Sequence, residues 1–173
     1  MSLTLNYANE DDRAYGLAGM AISLAALDAI DRVVEFSLDA DGPMVTFSNE
    51  YYFTSAPAVS PKAVWEMLMR NLHITASMVI SNVMARSLVR LNEEIPAEVI
   101  SEVYDRIAEE GKETCGLEED EVKSFYDKTY YGQLRVFSNP RLRPAIDELA
   151  RIFSRRRHLS GMELRDELEL LSL

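Results

Sequence analysis

Residues 14–27, AYGLAGMAISLAAL, place apolar side chains on every face of a helix, the pattern of a helix surrounded by others. The run follows NEDDR, in which Asn9 suits an N-cap and Glu10, Asp11 and Asp12 suit the positive end of a helix dipole. Gly16, Ala18, Gly19 and Ala25 let a neighbour approach closely, which offsets the helix propensity that the glycines give up. The period then changes. VVEFSL (33–38) and MVTFSN (44–49) are rich in β-branched and aromatic residues, and the DADGP between them is a turn signal, so a β-hairpin is expected. EYYFTSAPAVSP reads as a loop.

Ser60 and Pro61 provide a cap and a first-turn proline for a long helix running to about Asn92. Trp65, Leu68, Met69, Leu72, Ala76, Val79, Ile80 and Val83 share one face of it, so Trp65 is expected to be buried. A stripe of Ile95, Val99, Val103 and Ile107 marks a further helix, with Gly111 as its expected stop. The next begins after Gly116, turns Val122, Phe125 and Tyr126 inward and is expected to end at Gly132. Ile146, Leu149, Ala150 and Phe153 keep the i, i+3, i+4, i+7 spacing of a helix that starts near Pro144. In the last helix Ser160 and Glu163 form a capping box, and Leu159 and Leu164 occupy the positions of a hydrophobic staple. Together these patterns predict a mainly α fold. About six helices pack around two apolar central helices, one β-hairpin is inserted after the first helix, and residues 1–173 form a single globular domain.

Composition narrows the function more than it identifies it. The single cysteine, Cys115, excludes an internal disulfide, and with His73 and His158 as the only histidines no Cys- or His-rich metal site can form. A reducing, cytoplasmic setting follows as the default expectation, with no metal and no cofactor. The opening residues lack the basic start and apolar stretch of a signal peptide. Residues 71–85 carry no formal charge, but they are short for a bilayer crossing and contain several polar side chains, so a buried helix is expected there rather than a membrane contact. The net charge is −11, and it is uneven: residues 1–134 carry 10 basic and 23 acidic side chains, residues 135–173 carry 8 and 6. An acidic body disfavours broad nucleic-acid binding.

The basic stretch RIFSRRRHLSG (151–161) is the place where chemistry could sit. The capping box at Ser160 and the preceding apolar stripe put Arg155, Arg156, Arg157 and His158 in a helix's last turn and the corner after it. Cations there complement the helix dipole, and that is the favoured reading. Arg155, Arg156 and Arg157 are also the candidate anion contacts. Arg151 and His158 have the spacing R-x6-H, which loosely resembles the arginine–histidine motif of the HEPN family of small helical ribonucleases and nucleotide-linked toxins. The resemblance implies that the histidine moves a proton while the arginine steadies phosphate charge, with a second pair supplied across a dimer interface. Position 152 is Ile, where the family carries a polar residue, and a β-hairpin is foreign to that family's bundle.

Three other groups are candidates. His73 and Ser77, with Glu66 and Arg70 above them, have the composition of a Ser–His–carboxylate set, but a mid-helix serine lacks the strained turn that activates a nucleophile. Glu118, Glu119, Asp120 and Glu121 are successive on a helix and cannot converge on one cation. Tyr51, Tyr52, Phe53, Phe125, Tyr126, Tyr130, Tyr131 and Phe137 could line a small-ligand pocket or cap the core. The function expected from the whole is a non-catalytic interaction or regulatory module that forms a homodimer through helical faces and could also take a protein partner. The alternatives are a HEPN-like ribonuclease or RNA-binding protein using Arg151 and His158, and a binding protein for a small ligand.

Overall fold

A computed structural model describes residues 3–52 and 60–173. The fold is mainly α, 71% helical, with seven helices and a small antiparallel sheet of three strands among the described residues. The first helix, α1 (Glu10–Ala26), is capped as the sequence indicates, the Asn9 side chain accepting from the Asp12 N–H. It is the centre of the fold and packs on the long helix α3 (Pro61–Met84) and on α6 (Arg143–Arg156). Its glycines set the distance. A Cβ on Gly19 would lie 2.4 Å from the Ser81 carbonyl oxygen of α3 and 2.7 Å from the Ala85 Cβ, so only glycine allows the two backbones to meet there.

A 3-10 turn (Ile30–Arg32) leads into β1 (Val33–Ser37), which pairs with β2 (Val45–Phe47) as the expected hairpin. The register is Phe36↔Val45 and Glu35↔Thr46, with an irregularity between Val33 and Glu35. The hairpin gains a third strand, β3 (His158–Ser160), on the other side of β1 with Phe36 opposite Leu159. A strand of three residues directly after a helix end has too few positions to show a period in sequence. Asn49, expected at the end of the second strand, and Glu50, Tyr51 and Tyr52, expected as loop, form a one-turn helix, α2 (Asn49–Tyr52), and Tyr51 stacks on Phe47 at 4.1 Å between ring centroids. Residues 53–59, with the rest of that expected loop and Phe53, lie outside the described residues, as does the Tyr52 side chain.

Helix α3 (Pro61–Met84) continues without a break into a π-helical segment, Ala85–Leu91, which Asn92 ends in the left-handed conformation. Among the described residues, Pro61–Leu91 is the one helix long and apolar enough to cross a membrane, and 78% of its most apolar window is buried inside the chain. Two expected stops fail. Helix α4 (Ala97–Cys115) runs through Gly111, which is buried beside Leu117, Leu72 and Val122, and ends at the left-handed Gly116. Helix α5 (Glu119–Phe137) runs through Gly132, because Val122, Tyr126, Thr129, Gln133 and Phe137 form one buried stripe that outweighs a single glycine. α6 (Arg143–Arg156) and α7 (Gly161–Leu170) complete the chain. Both bonds of the Ser160/Glu163 capping box are present, and α7 starts so close to β1 that a Cβ on Gly161 would lie 2.5 Å from the Val33 carbonyl oxygen.

Trp65 corrects a further expectation. It is 48% exposed, although Leu72, Ala76, Ile80 and Val83 on the same helix are buried. The pattern of a face tells which side chains point together. Whether the chain has neighbours enough to cover all of them is a separate matter, and from Pro61 to Asn71 no side chain of α3 is fully buried.

Candidate functional site

The basic stretch is neutralised by the chain's own carboxylates. Arg151 and Arg155 both donate to Glu148, at 3.1 and 3.4 Å. Arg156 pairs with Glu163 and Glu167 of α7, and Arg157 with Glu10 and Asp39. Arg157 sits at the end of α6 with φ 67, and its carbonyl accepts from the Leu38 N–H at 2.8 Å, which joins the helix end to the residue after β1. Its guanidinium holds the Asp39 carboxyl below the usual carboxylate range. His158, in β3, lies between Glu35 and Asp39, 3.4 Å from each. Arg151 lines an open cleft with Tyr15 and Glu148, where the Tyr15 hydroxyl donates to Asp147 at 2.7 Å. Burial and that carboxylate push the Tyr15 hydroxyl up to about 12. Arg151 and His158 face different carboxylates, Glu148 for the one and Glu35 and Asp39 for the other.

The other candidates are also occupied internally. His73 stands edge-on to Phe125 with 6.1 Å between ring centroids, burial lowers its pKa, and no hydrogen bond links it to the buried Ser77 hydroxyl. Tyr104, Tyr126, Tyr130 and Tyr131 contact one another in series at 5.0 to 5.7 Å. The gap that Tyr126 and Tyr130 line with Ile80, Val83 and Val103 is about 10 Å³, no more than one water would need. Among the described residues no group of three His, Cys, Asp or Glu side chains could hold a metal ion. Cys115 is buried, and burial raises its thiol pKa.

Two features stand out that the sequence reading passed over. The first is a buried charge centre. Arg86 and Asp12 side chains are each 1% exposed and meet 2.7 Å apart. Arg86 Nε donates to Asp12 Oδ1 at 2.9 Å, and its Nη2 also donates to the Thr4 and Asn6 carbonyls at 2.8 and 3.0 Å. Arg90 adds a second guanidinium, 3.0 Å from Asp12 Oδ1 and 2.8 Å from the exposed Asp11. Tyr7 lies over the Arg86 guanidinium at 4.7 Å, and its hydroxyl accepts from Asn82 Nδ2 at 2.8 Å. Burial by itself would raise the Asp12 carboxyl, but the Arg86 hydrogen bonds, the Ala8 N–H and the charges of Arg86 and Arg90 hold it below the usual range. The π-helical winding places Arg86 and Arg90 here; such segments recur where a helix must re-aim side chains. The sequence signal was available: Arg86 is the charge that ends the uncharged run 71–85, and Asp12 lies two residues before the uncharged run of α1.

The second feature is the N-terminal part of α3. From Pro61 to Asn71 no side chain is fully buried, yet the segment contains Val64, Trp65, Met67, Leu68 and Met69. It extends over about 16 Å of helix. Leu68 and Met69 touch a small secondary cluster of Leu72, Ala108, Cys115, Leu117 and Val122, and Trp65 faces out. Lys62, Glu66 and Arg70 alternate in sign along the same exposed side, Lys62 lying 3.8 Å from Glu66. Compared with known protein families, curated proteins and solved structures, the chain matches none of them.

Proposed function

We propose that this chain is a non-catalytic interaction module that self-associates through the first three turns of α3. The observation that carries the reading is Trp65, the chain's single tryptophan, 48% exposed in a segment with four further apolar side chains and none fully buried. Large exposed apolar surface marks an interaction site, and tryptophan is the residue most often energetically dominant in one. Met162 and Leu170 of α7, Tyr131, Val34 and Leu173 are exposed as well, but the α3 segment gathers five apolar side chains, Val64, Trp65, Met67, Leu68 and Met69, within three turns, and the arginines of residues 151–157 are matched by carboxylates.

A second copy fits this face because its charges are self-complementary. A two-fold, antiparallel pairing of helices centred near Leu68 sets Glu66 of one protomer beside Arg70 of the other and brings both Trp65 side chains into the seam. A patch of three helical turns is smaller than a standard stable interface, so the dimer is weak and forms in step with concentration. With a net charge of −11 on each copy the bodies repel at long range. Salt screens that repulsion, and association therefore strengthens as salt is added.

Sedimentation velocity over a concentration series tests this. The expected result is a monomer–dimer equilibrium that shifts toward dimer with salt and is lost in Trp65→Glu, with the helical circular dichroism unchanged. A native chain that stays monomeric to high micromolar concentration at every salt concentration would overturn the reading. So would a Trp65→Glu variant that dimerises like the native chain.

A further inference from the structure

The N-terminal segment, residues 3–9, has neither helix nor strand, so its backbone polar groups need partners from elsewhere. They find them on one ion pair. The Thr4 and Asn6 carbonyls accept from Arg86 Nη2, the Leu5 carbonyl faces Nη1 at 3.4 Å, and the Ala8 N–H donates to Asp12 Oδ2 at 2.9 Å. The Tyr7 ring lies near two guanidiniums, 4.7 Å from that of Arg86 and 5.7 Å from that of Arg13. The apolar anchorage is small by comparison: Leu3 is buried, Leu5 and Tyr7 only partly so. Beneath the segment, Asp12, Arg86 and Arg90 line a cleft of about 220 Å³ that Leu3, Thr4 and Asn6 edge from above.

We propose that residues 3–9 are a latched strap that opens as one unit, independently of global unfolding, with the Asp12–Arg86 pair as the latch. The physical reason is shared partners. Three carbonyls and one N–H depend on the same two side chains, and the Tyr7 ring lies on one of them, so the loss of the pair releases most of the strap at once; Tyr7 keeps Asn82 and Arg13 as further partners. The helices beneath keep their own hydrogen bonds and core. Opening bares the paired guanidiniums of Arg86 and Arg90 at the cleft, a charged surface that the closed chain hides. Local openings of this kind occupy the low end of a protein's stability range. The proposal is independent of self-association, because the strap contacts the π-helical end of α3 and Trp65 lies at the opposite end.

Native-state hydrogen exchange by NMR on the full chain, at rising sub-denaturing guanidinium concentrations, tests it. The reporters are the Ala8 amide, the Arg86 Nε–H and the amides of Ile146 and Leu149 in α6. The expected result is that Ala8 and Arg86 Nε–H share one opening, matched within about threefold in protection and with a small denaturant dependence, while the α6 amides exchange at least 100-fold more slowly through global unfolding. Tyr7→Ala, which leaves the ion pair in place, is expected to raise Ala8 exchange at least tenfold without changing the α6 amides. Two results would overturn the latch: Arg86 Nε–H remaining protected while Ala8 exchanges freely, or all four reporters exchanging together with the full global denaturant dependence.

Discussion

The two ends of α3 are the same helix in opposite surroundings. From Leu72 onward it is enclosed by α1, α4 and α5 and carries a fully buried arginine, Arg86, which the chain surrounds with acceptors. From Pro61 to Asn71 it carries a tryptophan and two methionines with no complete cover. The chain thus buries a charge at one end and leaves an aromatic side chain in water at the other, the reverse of what residue type alone would assign. Burial is decided by what the rest of the chain brings alongside. Gly16 and Gly19 bring α1 onto the C-terminal end, whereas toward the N-terminal end the cluster around Leu117 touches Leu68 and Met69 and Tyr51 bonds Asn71, with no side chain from Pro61 to Asn71 fully buried. The charge is tolerable because it is matched: a buried pair with its hydrogen bonds complete costs little, and one half of a pair costs much.

The largest effect is expected at the enclosed end. Asp12→Asn leaves Arg86 buried without its counter-charge and should cost about 3–5 kcal/mol in denaturant unfolding. The same pair sets an acid limit. The Asp12 carboxyl is held below its ordinary value in the folded chain, so its contribution is complete at neutral pH and is lost as pH falls through that lowered value. The acid limb of the native stability curve should therefore flatten in Asp12→Asn, measured by unfolding midpoints over a pH series. A smaller loss, about 1–3 kcal/mol, is expected for Gly19→Ala, since the new methyl meets the Ser81 backbone carbonyl and the gain in helix propensity recovers only part of the strain.

At the open end the expected stability effect is smaller still. Trp65→Ala should cost less than about 1.5 kcal/mol in a dilute monomer, against about 3–5 for a fully buried aromatic. If the loss reaches the buried range, the contrast between the two ends of α3 does not hold. Smallest of all is the change expected at the end of α6. Arg156→Gln with Arg157→Gln should move the thermal midpoint by no more than about 2 °C, and by more at low salt than at high, because these ion pairs are exposed to solvent. RNA binding by the native chain, lost in that double variant, would mean the stretch has a role its internal pairing hides.

Local chemistry was the legible part. Asn9, Ser60 and the Ser160/Glu163 box mark helix starts because a capping side chain bonds an N–H two or three residues away, and all three caps are present. The hairpin was legible for the same reason, its strands being joined by DADGP. Contacts distant in sequence were not. β3 exists because Leu159 pairs with Phe36 across more than 120 residues, and Asp12 meets Arg86 across 74. Gly111 and Gly132 looked like stops because glycine is a poor helix former, but the buried stripes on either side carry the helices through. Four arginines within seven residues drew the search for a site, whereas the more consequential arginine stands by itself after an uncharged run. Trp65 had the right face and the wrong expectation, since a periodic pattern does not report how many neighbours the fold provides.

Because Trp65 is the chain's single tryptophan, its fluorescence reports on the open end of α3 and on nothing else. Emission followed from nanomolar to high micromolar concentration in moderate salt tests the central claim. The account expects a solvent-exposed, long-wavelength maximum in the dilute chain that moves to shorter wavelength as copies pair and cover the ring, at lower concentration when salt is raised. An emission maximum that does not move across the whole range would show that no second copy covers Trp65 and would contradict self-association through this face.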